Sequence, residues 1–87
     1  MSDQINITEL SSDTFDVTID ADSLTSHQVT VSDAFVSENQ ITKLTKKEII
    51  EQSFLFLLQR ESNTSILRKF NIEVIANYFP EYKKLFK

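Results

Sequence analysis

The sequence predicts a small α+β fold: an antiparallel β-hairpin packed by a long central helix with short flanking helices. Two segments near the N-terminus alternate apolar and polar residues with a period of two, as half-buried strands do. The segment 44–61, LTKKEIIEQSFLFLLQRE, places apolar residues at helical spacing behind a doubled start signal. The chain has 87 residues, enough for one domain with one core.

The central helix is written most firmly. Thr45 followed by Glu48 forms a capping box, and Leu44 with Ile49 has the spacing of a hydrophobic staple. At 100° per residue, Ile49, Ile50, Ser53, Phe54, Phe56, Leu57 and Leu58 fill an arc of roughly 200°, with Leu55 outside it. A helix covering one side of a core needs a narrower stripe. The helix over 45–61 is therefore expected between two layers: a sheet on one side, helices or a second copy of the chain on the other.

Residues 4–10, QINITEL, read as a third, edge strand or an extended arm, and residues 1–12 form that arm or strand as a unit. Ser11, Ser12 and Asp13 break it. Residues 14–20 put Phe15, Val17 and Ile19 on one face, and residues 26–32 put His27, Val29 and Val31 on one face, with 21–25 as the loop between them. Ser32 or Asp33 caps a short helix over 33–39 that buries Phe35. Asn63, Thr64 and Ser65 end the central helix, and a helical turn is expected through Ile66, Leu67 and Phe70. Asn71 reads as the cap of a helix over 72–78. Pro80 stops that helix and suits the first position of a final turn in which Tyr82, Leu85 and Phe86 dock.

Composition limits the function. There is no cysteine, which excludes a disulfide framework, a thiolate metal site and a cysteine nucleophile. There is no glycine, which excludes glycine-rich phosphate loops and leaves any left-handed turn to Asn or Asp. His27 is the only histidine and reads as a packed strand residue, so neither a catalytic nor a metal site is expected. Asp20-Ala21-Asp22 begins like a calcium loop, but the sixth position is Thr25 and the twelfth is Val31, so the match fails. No cofactor is expected. No apolar run is long enough to span a bilayer, and the N-terminal residues lack the pattern of a signal peptide, so the expected location is cytoplasmic.

The charge is divided. Residues 1–42 carry eight acids and no Lys or Arg, whereas 43–87 carry all nine bases and five acids, so −8 and +4 combine to the net −4. The simplest consequence is attraction between the two halves inside one fold.

Two resemblances bear on function. The strand at 27–31, then Ser32-Asp33, a short helix, and LTKKE opening an apolar helix resemble ribbon–helix–helix DNA-binding proteins, including antitoxins. That resemblance implies a strand pairing across a dimer, with Gln28, Thr30 and Ser32 facing DNA. The strand has no Lys or Arg to neutralise phosphate, which disfavours nucleic acid. The segments SFLFLLQRESNTSIL (53–67) and FNIEVIANYFPEY (70–82) resemble a family of small bacterial proteins of uncharacterised function; the resemblance implies a shared fold and no activity. The reading favoured is a non-enzymatic protein–protein interaction module. It acts on a protein partner or as a homodimer, with Phe56, Tyr78, Tyr82 and Phe86 as its interaction surface.

Overall fold

The computed structural model describes residues 4–21 and 23–86, and has the α+β architecture. Residues 1–3, Asp22 and Lys87 lie outside the described residues. Four strands form one mixed sheet in the order β1 (Gln4–Glu9), β2 (Thr14–Asp20), β3 (Leu24–Thr30) and β4 (Lys69–Asn71). The first three run antiparallel and β4 joins β3 in parallel. Between β3 and β4 come α1 (Asp33–Glu38), α2 (Lys46–Leu58) and a 3-10 turn (Asn63–Ser65). After β4 come α3 (Val74–Tyr78) and a 3-10 segment (Pro80–Phe86).

The period of two decides what each sheet face meets. Phe15, Val17, Ile19, His27 and Val29 turn inward and are buried; Asp16, Thr18, Gln28 and Thr30 turn outward. The inner face is covered by α2, whose buried residues are Ile49, Ile50, Ser53, Phe54, Phe56 and Leu57, while Leu55 is exposed. Phe54 faces the sheet: its ring lies 5.6 Å from His27 and 6.1 Å from Phe70. Phe56 faces the C-terminal layer: its ring lies 5.8 Å from Phe79 and 5.4 Å from Tyr82. Two residues on, a helix has turned through about 200°, so one element serves two layers.

Both helix starts follow the sequence. Ser32 Oγ accepts from Phe35 N–H, and Thr45 with Glu48 forms the full capping box. Lys46, in the first turn of α2, reaches Asp13 at 2.6 Å and Asp33 at 2.7 Å. Bonding to Asp13, then to Asp33, raises the Lys46 pKa above the usual lysine value. Here one base of the second half ties down two acids of the first.

Several boundaries differ from the sequence reading. The long helix ends at Leu58 rather than 61, because Arg60 and Glu61 both donate to Leu57 O and tighten the chain. Arg60 Nη1 then donates to Phe56 O, and its guanidinium lies 3.6 Å from the Phe56 ring centroid, so a basic side chain serves the exposed C-terminal carbonyls. The loop over 21–25 is shorter, since β3 already pairs at Leu24. Where a helical turn was expected around 66–70, β4 forms; Gln28 N–H donates to Arg68 O and Ile72 N–H to Thr30 O. α3 consequently begins at Val74, and Asn71 Oδ1 accepts from Glu73 N–H in a turn before the helix. The hairpin is thus part of a four-stranded sheet, with residues 4–9 as its edge strand.

α1 closes with paired bonds from Gln40 N–H to Ser37 O and from Ile41 N–H to Val36 O, a Schellman ending. Its left-handed residue is Gln40, at φ 54°, rather than an Asn or Asp. A Cβ at that position costs on the order of 1 kcal/mol. Gln40→Gly should therefore raise unfolding stability by about 0.5–1 kcal/mol in urea titration, and Thr45→Ala should lower it by about 1 kcal/mol.

Candidate functional site

Beyond the last turn of α2 the two layers part, and an apolar cleft of about 240 Å³ opens between α2, β4 and α3. Its walls are mainly Leu57, Ile66, Phe70, Val74, Ile75 and Phe79, with Glu61 and Ser65 as polar members. Leu67 and Tyr78 stand at its mouth, 48% and 67% exposed.

Residues 65–67 form one wall, and a polar chain through His27, Thr25 and Asn63 fixes that segment to β3. His27 is 1% exposed. Its Nδ1 lies 2.7 Å from Leu67 O; a carbonyl only accepts, so Nδ1 carries the hydrogen. Nε2 lies 2.9 Å from Thr25 Oγ1 and takes the hydroxyl hydrogen. Thr25 Oγ1 in turn accepts from Asn63 Nδ2, which also donates to Ser23 O at 2.8 Å. His27 is therefore a fastener, with both ring nitrogens occupied by neutral partners. Asn63, expected as helix punctuation, acts through its side chain across the fold. A polar residue on an otherwise inward strand face was the only sequence signal for this.

The C-terminal aromatic residues separate. Tyr82 is fully buried, 5.4 Å from Phe86 and 6.3 Å from Phe35, and Phe56 is buried against it. Phe86 is half-buried. Of the four residues read as an interaction surface, Tyr78 is the one standing in solvent; Phe56 and Tyr82 meet each other inside the core. The Ser53 hydroxyl donates to Ile49 O at 2.6 Å, so in the Ser53–Tyr82 contact the phenol is the donor.

The residues read as DNA-facing are also dispersed. Gln28 and Thr30 project from the uncovered sheet face, beside Asp16, Thr18 and Lys69. Ser32 caps α1 and donates to Glu73. β3 is paired on both edges, by β2 and by β4, which leaves it no edge for a symmetry mate. Among the described residues the outer sheet face carries no aromatic side chain of the kind on which unpaired bases stack.

Among the described residues, no three His, Cys, Asp or Glu side chains cluster to hold a metal ion, and every buried side-chain polar atom has a hydrogen-bond partner. Among the described residues no helix is long and apolar enough to cross a membrane. Compared with models of protein families, with curated proteins and with solved structures, the chain matches none.

Two outcomes check this geometry. Thr25→Val removes the hydroxyl between His27 and Asn63, and should cost about 1–3 kcal/mol and speed amide exchange at 65–67. Burial pushes the Tyr82 phenol above its ordinary pKa of 10.0. The folded chain then keeps a proton that the unfolded chain loses above pH 10, so stability falls as pH rises beyond that point. In a Tyr78→Phe background, phenolate absorbance should stay flat through the ordinary tyrosine range and rise only as the helical signal is lost.

Proposed function

We infer that this chain is a non-enzymatic protein-interaction module, and that it docks its partner by taking one bulky apolar side chain into the cleft between α2, β4 and α3. The observation that carries the reading is an open apolar cleft with a tyrosine and a leucine exposed at its mouth. Tyrosine contributes large contact area at low entropy cost and is enriched among the residues that dominate binding energy. The size of the cleft favours a side chain over a free ligand. At about 240 Å³ it falls below the roughly 300–1,000 Å³ of sites that enclose small molecules. Glu61, a half-buried acid in the cleft wall, favours a partner whose apolar residue is followed by Lys or Arg.

The polar chain through His27 supports the same role. It holds one wall rigid, and a preformed cavity loses less entropy on binding than one that must be ordered. A protein partner rather than nucleic acid accords with a sheet face that carries Asp16 and Asp20 beside Lys69. The expected setting is the cytoplasm.

A partner recovered from host extract on the wild-type chain should bind Tyr78→Ala about 30-fold more weakly, a loss of roughly 2 kcal/mol. Leu67→Lys should weaken it similarly. Amide shifts on adding that purified partner should concentrate on residues 65–79. Equal affinity for both variants, or shifts centred on the outer sheet face, would overturn the assignment.

A further inference from the structure

The two edges of the sheet are treated differently by the sequence. The β4 edge is three residues long and carries Lys69, both of which discourage further pairing. The β1 edge is six residues long, QINITE. It pairs with β2 in unbroken register from Gln4 to Glu9, so no bulge twists it away. It holds no Lys, no Pro and one charged residue, Glu9.

The hydrogen-bond phase identifies which β1 groups are free. Leu10 N–H donates to Thr14 O in the β1–β2 ladder, and Val31 N–H to Asp13 O in the β2–β3 ladder. Antiparallel ladders alternate, so Gln4, Asn6 and Thr8 bond to β2. The N–H and C=O groups of Ile5, Ile7 and Glu9 then point away from the sheet. The side chains of Ile5 and Ile7 lie on the helical face and are only half-buried there.

We propose that the β1 edge is the seam of a symmetric dimer, in which β1 of a second copy adds antiparallel and the two sheets become one eight-stranded sheet. The strand is self-complementary. With the two-fold axis at Ile7, Ile7 meets the partner's Ile7, Ile5 meets the partner's Glu9 and Asn6 meets the partner's Thr8. No like charges face each other, and the half-exposed isoleucines of both copies cover one another. The axis stands perpendicular to the sheet, so both helical layers fall on the same side. Asp16 and Asp20 on β2 flank the edge and discourage an acidic strand from another protein, whereas β1 itself brings a single acid that lands on isoleucine. The seam is one strand wide, which places association roughly in the micromolar range.

Sedimentation equilibrium of the full chain, from about one to several hundred micromolar, should show a monomer–dimer equilibrium. Ile7→Pro should abolish it and leave the fold intact, because the lost N–H faces outward. Thr8→Pro, one residue on, should lower the melting temperature, because that N–H serves β2. Ile7→Lys and Ile7→Asp should each be monomeric alone and associate when mixed, which keeps the test decisive if the proline variant misfolds. A wild-type chain that stays monomeric throughout, or a dimer unchanged in the Ile7 variants, would overturn the proposal.

Discussion

Everything in this structure depends on α2 being enclosed on two sides. Phe54 closes against His27 and Phe70 of the sheet, and Phe56 closes against Phe79 and Tyr82 of the C-terminal segment. Ser53 lies between these two layers, and a larger side chain there would hold off the Tyr82 ring. Its hydroxyl also takes the phenol hydrogen that would otherwise be buried unpaired. The cleft follows from the same arrangement. α2 stops at Leu58, and the gap at its end is lined by Leu57 of its last turn together with Phe70 of β4 and Val74 and Ile75 of α3.

Electrostatics reinforces the enclosure without creating it. Asp13 from the β1–β2 turn and Asp33 from α1 converge on Lys46, so the divided charge of the sequence is partly spent inside one molecule. The Asp33 side chain is largely exposed, and an exposed pair of this kind contributes little by itself. Its value lies in position: it fixes the first turn of α2 relative to the first hairpin. The same neutralisation weakens any reading in which the basic half is held free for an acidic partner.

What the sequence made legible was local. The caps at Ser32 and Thr45 are each specified within four residues, and β2 and α2 each display their own period, so these elements could be read directly. β4 could not. It is three residues long, too short to show alternation, and it is a strand only because β3 offers an unpaired edge some forty residues earlier in the chain. Without β4 the segment 66–70 has no fixed place, and the cleft it lines has no wall; the site was therefore hidden by one long-range pairing. Tyr78 and Tyr82 were both assigned to the interaction surface, although Tyr82 was also read as docking in the turn after Pro80. Four residues apart on one helix they would share a face, but Pro80 interrupts the helix between them and resets the phase, leaving one ring in solvent and one in the core. Gln40 shows the converse: a left-handed ending imposed by the buried Ile41 beyond it, on a residue type that gives no warning.

The two surfaces assigned here lie at opposite edges of the sheet, and that placement has a consequence. β1 is one outer strand; the cleft is built on β4, the other. Pairing through β1 therefore leaves both clefts unobstructed, one at each end of the eight-stranded sheet. A partner that presents its apolar side chain twice, or that is itself a dimer, would engage both ends. The second contact is then intramolecular, and overall avidity can exceed that of one cleft by about 10²–10⁴ when the spacing fits. Under the proposed reading each cleft takes a single side chain and offers little area of its own, and two-ended engagement supplies the remainder of the hold.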